Sequence, residues 1–421
     1  MRIETLWIDA TGCSSRLRVF GMPLVERILR GAAEVGLLPD ETRLVLGEDD
    51  ELPPLPDELC RRFGLRVERP TDGAIEALSR RRAELGGALL ALRGDVVVDA
   101  RVLAHLAGLG GNGVFIGSAG DASCAVLRLE AGPPLVASSW EEATRALLAD
   151  GSARELRADD FPGYITMLRR DLPPYVVCVR DAHDVQRVER FLFWSNYKGS
   201  TDFMTRYVYP PFVWWMVRPL ARWRVHPNWV TAVDIVATFA AIPYFMQGRW
   251  VVGLGLAYLM SVLDSVDGKL ARVTFTSSRL GEVLDHGLDI VHPPMWYMAW
   301  GWALGGQQVA SLPFQSTLWL LAMYVLDRVV AGVFKWRHGR SIHGFTPFDE
   351  RMRTFISRRN VNLPFFTLAL VFDAMFAERG WPAATLCLYA IVAWQGLCLL
   401  FHLERLVRFW GQGARDGAQA G

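Results

Sequence analysis

The hydrophobic and polar positions divide the chain into two parts that predict different folds. Up to about residue 190, short apolar runs alternate with amphipathic helical patterns. The runs are TLWIDA, TRLVLG, GVFIGS and PYVVCVR, and the helical patterns include PLVERILRGAAEVG and SWEEATRALLAD. Strands that alternate with helices are typical of a parallel sheet with helices on its faces. We therefore predict a cytosolic α/β domain over residues 1–190.

The second part contains six long apolar segments, and several are slightly shorter than the roughly 20 residues that span a bilayer. The segments are 229–247, 250–264, 286–305, 314–334, 362–377 and 383–402. Lysine and arginine are concentrated in alternate connections, whereas MQGRW, GGQQVASLPFQS and AERGWPA are nearly uncharged. Because basic connections stay on the cytoplasmic side, we predict six spans in the inner (cytoplasmic) membrane with both termini cytoplasmic.

The remaining segments complete the predicted domain organisation. Residues 191–228 form a linker and an amphipathic interfacial helix, since YVYPPFVWWMVRPLARW is aromatic and basic. The six-helix transmembrane domain covers 229–405, and the polar tail 406–421 is predicted to be disordered. The N-terminal residues lack the pattern of a cleaved signal peptide, so the spans themselves are expected to direct the chain to the membrane.

Composition agrees with a membrane protein and argues against some functions. The mean hydropathy is +0.18 and the chain has 16 tryptophans. The net charge of +1 is too balanced for nucleic-acid binding, and no nucleic-acid partner is expected. Six cysteines occur without a C-x-x-C pair, so neither a zinc site nor a disulfide framework is predicted, and a reducing cytosolic environment suits them.

Four aspartates lie in DSVDGKLARVTFTSSRLGEVLDHGLD, at the junction of the second and third apolar segments. Asp264 and Asp267 are three residues apart, and Asp285 and Asp289 are four apart, so each pair shares one face of a helix. Carboxylates beside lipid are costly unless they are paired or bind a cation. An antiparallel helix pair would bring all four together, where hard cations such as Mg²⁺, Mn²⁺ or Ca²⁺ neutralise them and two ions can clamp a phosphate.

The intervening residues suit a phosphate ligand. Gly268 and Gly281 allow close approach to the backbone, Ala271 keeps one helix face small, and Arg272 offers a forked donor. The alternative is a set of carboxylates at helix ends that face water or pair with nearby arginines. That alternative explains one aspartate pair but not two pairs with glycines at these spacings.

The pattern Asp-x2-Asp-Gly-x2-Ala-Arg-x8-Gly-x3-Asp-x3-Asp is identified as the signature of the CDP-alcohol phosphotransferases. All eight positions are filled, and HPNWVT resembles the family's Pro-Asn-x-x-Thr before the first span. The resemblance, which covers about 195–405, implies transfer of a phospho-alcohol group from a CDP-alcohol to an acceptor hydroxyl with release of CMP. It implies a homodimer and two Mg²⁺ or Mn²⁺ ions, held by Asp264, Asp267, Asp285 and Asp289, with Asp289 as the base. It also implies a CDP pocket lined by Gly268, Ala271, Arg272, Gly281, Asn228 and Thr231.

The N-terminal domain resembles the sugar-phosphate nucleotidyltransferases through DATGCSSRL, GMPLVERIL, RGDVVVDARVL and VRDAHDVQRVE. Arg16 and Asp95 match that pattern. The departures are Ser14 for a loop glycine, Met22 for a lysine, and Cys178 and Arg180 where a metal-binding aspartate is expected. Because a triphosphate and its metal need those charges, we predict a degenerate domain with a structural or regulatory role.

The fusion of these two domains resembles the bifunctional inositol-phosphate cytidylyltransferase/di-inositol-phosphate phosphate synthases. It favours an inositol-phosphate-like acceptor, with a lipid alcohol as the alternative. Lys198, Arg358 and Arg359 are candidates for holding an acceptor or substrate phosphate. The alternatives are a solvated linker pair for Lys198 with Asp202, and headgroup anchoring for the two arginines.

Three further residues in the apolar segments are predicted to be structural. His292 precedes two prolines and marks a kink, while Asp327 and Asp373 are expected to satisfy local polar partners. Two other functions compete with the enzyme: a cation transporter, whose acids should lie at mid-span, and a catalytically silent scaffold. The clustering of the acids at a cytoplasmic end argues against the transporter, and the complete aspartate set argues against the scaffold.

Overall fold

The protein is described by a computed structural model that divides into two compact units. The first contains residues 1–197, 221–224 and 273–275, and the second contains 198–220, 225–272 and 276–421. The described residues are 3–13, 17–117, 120–161, 163–165, 168, 170–197, 199, 201–277, 279–376, 378, 380 and 382–411, with the backbone alone at 279–286 and 289.

The first unit is an α/β domain built on a seven-stranded sheet, as the alternating pattern predicts. The sheet order is β10-β8-β9-β6-β1-β4-β5. The strands are β1 Ile3–Asp9, β2 Arg18–Val19, β3 Met22–Pro23, β4 Glu41–Val45, β5 Leu65–Glu68, β6 Ala88–Arg93, β7 Val96–Val98, β8 Gly113–Phe115, β9 Val126–Glu130, β10 Arg154–Leu156, β11 Tyr164–Ile165, β12 Arg170–Asp171 and β13 Val176–Cys178. The helices are α1 Leu24–Glu34, α2 Asp57–Arg62, α3 Ala74–Ala83, α4 Ala100–Gly108, α5 Trp140–Ala149 and α6 Ala182–Ser195.

The sheet is mixed, which corrects the prediction of a parallel sheet. β1 pairs in parallel with β4 and β6, but β9 runs antiparallel to both of its neighbours, β6 and β8. The PYVVCVR run forms β13, which pairs with β7 outside the main sheet. Apolar runs indicate that a strand is buried but carry no information on its direction, so the sequence left this undetermined.

The central strand β1 is buried on both faces, which explains its nearly continuous apolar sequence. Leu6 and Ile8 pack into one hydrophobic cluster with Ile28 of α1. Trp7, whose side chain points the other way, packs into a second cluster with Trp140 of α5. Helices therefore cover both faces of the sheet, as predicted.

The second unit is helical. Its elements are the π-helix Met204–Val208 and the helices α7 Pro210–Arg222, α8 Pro227–Met246, α9 Trp250–Thr274, α10 Arg279–Leu304, α11 Leu312–His338, α12 Pro347–Arg353, α13 Arg359–Met375 and α14 Ala383–Phe409, with the last residues of α7 and α9 assigned to the first unit. Within the described residues, α8, α9, α11 and α14 are long and apolar enough to cross a membrane. At 17 residues, α13 is shorter than these, and six spans therefore stay a prediction.

Aromatic packing holds the helices of the second unit together. The rings of Trp300 and Phe366 stack with centroids 4.0 Å apart, and Phe245 meets the edges of Trp296 and Trp300. Gly248, with φ +70°, provides the left-handed residue in the short turn between α8 and α9. At the other end of the domain, α14 continues to Phe409, so the disordered tail cannot begin at 406 as predicted; residues 412–421 lie outside the described part of the chain.

Helix α10 contains Pro293 and Pro294 in its interior and continues to Leu304. Pro294 has no N–H for the carbonyl of Ile290, one turn earlier. The hydroxyl of Tyr324 on α11 donates to that carbonyl at 3.1 Å. A neighbouring helix thus supplies the donor that proline lacks.

The first unit contains a disulfide between Cys124 and Cys178, whose Cα atoms are 5.8 Å apart. This corrects the expectation that the cysteines form no disulfide: the two are 54 residues apart in sequence, and only the fold brings them together. Beside it, Arg180 donates to Asp121 at 2.8 Å and to Ser123 at 2.7 Å. The hydrogen bond from Ser123, with Arg180 adding its positive charge, lowers the pKa of Asp121.

We expect the unreduced, denatured protein to react with maleimide at four thiols and the reduced protein at all six. The four are Cys13, Cys60, Cys387 and Cys398. A gel-shift assay with a polyethylene-glycol maleimide counts them. Cys178→Ser should then show five reactive thiols without reductant, while the control Cys60→Ser shows three. Six reactive thiols in unreduced protein purified without reductant would show that this disulfide does not form.

Candidate functional site

Helix α9 presents the first aspartate pair, and Asp267 is held from two sides. Its side chain is buried, and Thr231 of α8 donates its hydroxyl to Oδ2 at 2.8 Å. The backbone N–H of Gly268 donates to the other carboxylate oxygen. Both donors are neutral, so a buried charge here retains a demand for positive partners.

The small residue after Asp267 makes room for an arginine. A Cβ built on Gly268 would lie 3.4 Å from Nη1 of Arg272, so the guanidinium lies against the glycine one turn away. Arg272 and Ala271 are both half-buried. The structure therefore brings Thr231, Asp267, Gly268 and Arg272 together. That Thr231, Gly268 and Arg272 line a CDP pocket stays a prediction.

Asp264, one turn before Asp267, forms an ion pair with Arg359 at the start of α13. Nη2 of Arg359 lies 3.1 Å from Oδ2 of Asp264, whose side chain is 20% exposed. The guanidinium also donates from Nε to Asn360 Oδ1 at 3.1 Å and from Nη1 to His292 Nε2 at 2.8 Å. Sulfur Sδ of Met260 lies 2.9 Å from the same Nη1. Arg359 is 8% exposed, so four groups surround a buried guanidinium.

The network continues through Asn360 to the segment that precedes α7. The amide nitrogen of Asn360 donates to Asp202 Oδ2 at 3.2 Å. Asp202 also accepts the backbone N–H and the hydroxyl of Thr205, at 2.9 Å and 3.0 Å. With 6% exposure, Asp202 is buried, which contradicts the alternative of a solvated linker residue. The spacing Asp-x-x-Thr, typical of a capping aspartate, could have indicated this role.

The remaining predicted residues occupy different environments. Asn228 is exposed in the first turn of α8, where its N–H donates to His226 at 3.2 Å. Arg358 is half-buried at the N-cap of α13. Asp285, Asp289 and Gly281 belong to α10, but their side chains lie outside the described residues, as does Lys198 entirely. Their parts in the site stay predictions.

The motif did not indicate His292, which is fully buried at the centre of this network. Its Nδ1 lies 2.6 Å from the carbonyl of Leu288 on its own helix, and its Nε2 faces Arg359. Since a guanidinium only donates, Nε2 accepts, and the ring is neutral with its proton on Nδ1. The two prolines had suggested only a kink; a buried histidine one turn from Asp289 was the signal available in the sequence.

Asp327 and Asp373 have local polar partners, as predicted. Asp327 of α11 forms a hydrogen bond with Nδ1 of His402 on α14. Asp373 accepts the N–H groups of Ala383 and Ala384, at 2.6 Å and 2.9 Å. It thereby satisfies donors at the start of α14 that have no partner within the helix.

The candidate nucleotide site of the first unit is already neutralised by its own side chains. Arg93 forms two hydrogen bonds with the carboxylate of Asp95, at 2.9 Å and 2.7 Å. This contact raises the pKa of Arg93, while burial raises the pKa of Asp9 at the end of β1 and that of Cys13 to about 12. Asp95, which matches the nucleotidyltransferase pattern, is thus paired with an arginine.

A second carboxylate, that of Asp50, accepts hydrogen bonds from backbone amides next to the DATGCSSRL segment. Oδ2 of Asp50 accepts the backbone N–H of Gly12 at 2.8 Å and that of Gly47 at 2.7 Å. Met22, which replaces the expected lysine, is buried in β3. Ser14 and Arg16 lie outside the described residues. An internal anion therefore stands where backbone amides would otherwise be available for a phosphate.

Comparison with known proteins gives a family match in the helical part of the chain. Residues 224–401 match the CDP-alcohol phosphatidyltransferase family. A relative, choline/ethanolaminephosphotransferase 1 of Arabidopsis thaliana, is 31% identical over 158 residues, covering 33% of this chain and 39% of the relative. The chain thus spans well under half the length of this relative.

Two solved structures show weaker likeness. The phosphatidylinositol phosphate synthase of Mycobacterium tuberculosis with CDP-DAG bound has 17% identity and a TM-score of 0.36, covering 47% of this chain and 93% of that one. A 4-diphosphocytidyl-2C-methyl-D-erythritol synthase from Anaerococcus prevotii has 11% identity and a TM-score of 0.32, covering 45% and 98%. The assignment rests on the family match and on the eight motif positions. Residues 224–401 form a CDP-alcohol phosphatidyltransferase domain.

Proposed function

We propose that the protein is an integral-membrane transferase that moves a phospho-alcohol group from a CDP-alcohol to an acceptor hydroxyl and releases CMP. The observation that carries the proposal is the complete aspartate signature together with its placement: Asp264 and Asp267 lie one turn apart on α9, and Thr231 of the Pro-Asn-x-x-Thr segment contacts Asp267. In the reaction, the acceptor oxygen forms a bond to the β-phosphorus as the bond to the CMP oxygen breaks.

The site suits divalent cations. The candidate metal ligands are carboxylate oxygens, the ligand atoms that Mg²⁺ and Mn²⁺ prefer. Among the described residues, neutral donors of Thr231 and Gly268 contact Asp267, and a carboxylate has several lone pairs, so its oxygens retain the capacity to bind a cation. Asp264, Asp267, Asp285 and Asp289 would hold two ions, which when bound supply positive charge to the pyrophosphate.

The remaining steps, proton transfer and binding of the phosphates and CDP, are assigned to side chains of the protein. Asp289 takes the proton of the acceptor hydroxyl, with Asp285 beside it on α10. Arg272 offers a forked donor to the phosphates, and Gly268 and Gly281 allow their close approach. Asn228, Thr231 and Ala271 line the CDP pocket. Arg358 and Lys198 are proposed to hold the phosphate of the acceptor or substrate.

We place this chemistry at the cytoplasmic side of six spans, with both termini cytoplasmic, α7 in the interface and the protein a homodimer. Exposed aromatic side chains on and next to α7, such as Trp215 (78%) and Trp223 (75%), support contact with a bilayer. For the acceptor we propose an inositol-phosphate-like alcohol, on the basis of the fusion. A lipid alcohol such as diacylglycerol is the alternative, favoured by the choline/ethanolaminephosphotransferase likeness.

Purified protein in detergent, given CDP-alcohols and candidate acceptors with Mn²⁺, tests the function. CDP-diacylglycerol, CDP-choline, CDP-ethanolamine and CDP-inositol form the donor panel, and chromatography measures CMP. Metal-dependent CMP release with one donor–acceptor pair supports the proposal. Ion flux into liposomes without CMP release would instead support a transporter. Lipid and polar-metabolite profiles of cells with and without the gene then identify the phosphodiester formed.

For the first unit we propose a structural or regulatory role. The ion pair of Arg93 with Asp95 and the contact of Asp50 with Gly12 support this, because both occupy groups that a triphosphate and its metal require. We expect the full chain, incubated with CTP, Mg²⁺ and phosphorylated alcohols including inositol phosphate, to release no pyrophosphate above the level without protein. Pyrophosphate release that Asp95→Asn abolishes would establish an active cytidylyltransferase.

A further inference from the structure

We infer that Arg359 is a positioning residue, held by His292, that orients Asp264 for cation binding. The inference deepens the proposed function and rests on it. It gives Arg359 a different task from the phosphate binding that its position at a span entrance suggests, and it gives His292 a role in the site.

The hydrogen-bonding capacity of Arg359 supports this assignment. A guanidinium has five N–H groups. Four of the five are directed at groups of the chain itself: Asp264, Asn360, His292 and Met260. A buried arginine so engaged has little left to offer an incoming phosphate, whereas its fixed fork determines where the Asp264 carboxylate points.

His292 determines where the guanidinium itself lies. Its Nδ1–H donates to Leu288 at 2.6 Å, which fixes the ring and leaves Nε2 as the acceptor for Nη1 of Arg359 at 2.8 Å. The T-shaped contact of the ring with Trp296, at 4.9 Å between centroids, holds it from another side. The imidazole is therefore a rigid, neutral acceptor.

The network joins the helices that carry the two aspartate pairs. Asp264 lies on α9, and His292 lies on α10, three residues after Asp289; Arg359 of α13 bridges them. Asn360 ties the same arginine to Asp202. The separation of the aspartate pairs therefore depends on this bridge, and groups that orient metal ligands commonly change metal affinity 10- to 100-fold when they are lost.

Mn²⁺ binding to the full chain in detergent, measured by the electron paramagnetic resonance signal of free Mn²⁺, tests the inference. We expect Arg359→Lys to raise the Kd for Mn²⁺ by about 10-fold or more, because an ammonium has three N–H groups and cannot meet the four partners of the guanidinium. His292→Leu should raise it similarly. His292→Gln should restore affinity, since its amide oxygen can accept near the position of Nε2.

An exposed arginine of α14 is the matched control: Arg408, which is 63% exposed and pairs with Glu404, should leave the Kd for Mn²⁺ unchanged when it is replaced in Arg408→Lys. Unchanged Mn²⁺ affinity in Arg359→Lys, with a raised KM for the acceptor, would overturn the inference in favour of phosphate binding. A lower melting temperature in His292→Leu with unchanged affinity would also overturn it. If the unaltered chain binds Mn²⁺ without releasing CMP, only the proposed activity fails; if it binds no Mn²⁺, both fail.

Discussion

Asp289→Asn is expected to lower CMP release by about 10³-fold or more while the protein stays folded. Asparagine keeps the size of the side chain and suits the same helix position, but it cannot accept the proton of the acceptor hydroxyl. General base catalysis alone is worth roughly 10²- to 10⁴-fold, and loss of a charged metal ligand adds to the effect. CMP release from the donor found active with the unaltered protein measures the change.

The control for Asp289→Asn is Glu404→Gln, the same acid-to-amide change on α14. Glu404 is 50% exposed and pairs with Arg408, so its loss should leave CMP release unaltered. If Asp289→Asn elutes from size-exclusion chromatography at the volume of the unaltered protein and has the same circular dichroism spectrum, it is folded. CMP release by Asp289→Asn at the rate of the unaltered protein would show that Asp289 is not the base.

Asp267→Ala is expected to abolish both metal-dependent CMP release and the stabilisation of the protein by Mn²⁺. The cations are proposed to contribute several kcal/mol to the transition state, and each 1.36 kcal/mol is tenfold in rate, so the loss should be on the order of 10³-fold. A ligand that binds the folded state raises the melting temperature, and this shift should disappear with the ligand site. Melting curves with and without Mn²⁺ measure it.

Thr231→Val separates the orientation of Asp267 from its charge. Valine keeps the shape of threonine but removes the hydroxyl that donates to Oδ2 at 2.8 Å. A hydrogen bond to a charged group is worth about 1.5–3 kcal/mol, so CMP release should fall roughly 10- to 100-fold while Mn²⁺ still raises the melting temperature.

For Asp267→Ala, an increase in melting temperature with Mn²⁺ equal to that of the unaltered protein would contradict a metal role for Asp267.

Much of the site could be predicted because it is local in sequence. Asp264, Asp267, Gly268 and Arg272 lie within nine residues of one helix, and helix periodicity alone places them together. Thr231 came from a short motif at the start of the preceding helix. Residues on other helices gave weaker signals, since their relation to Asp264 depends on packing. His292 and Asn360 are examples: the prolines after His292 indicated only a kink, and Asn360 meets Arg359 and Asp202 through packing.

The first unit shows the same division. Alternating apolar runs and helical patterns predicted an α/β domain, and the absence of a lysine at Met22 predicted a weakened nucleotide site. The sequence did not indicate that Arg93 engages Asp95 or that Asp50 occupies the N–H of Gly12. The 38 positions that separate Gly12 from Asp50 are closed by the fold, not by any local pattern.

By itself, the sequence determined the two-part organisation, the apolar helices and the aspartate signature, because burial periodicity and motif spacing act over one or two elements. Only the tertiary structure decided the direction of β9, the disulfide between Cys124 and Cys178, and the partners of Arg359. Each of these depends on which distant residues meet once chain elements pack, and side-chain type alone does not specify that meeting. A buried guanidinium takes the partners that surround it, and those partners here come from four separate stretches of the chain: Met260 and Asp264, His292, Asn360 and, through Asn360, Asp202.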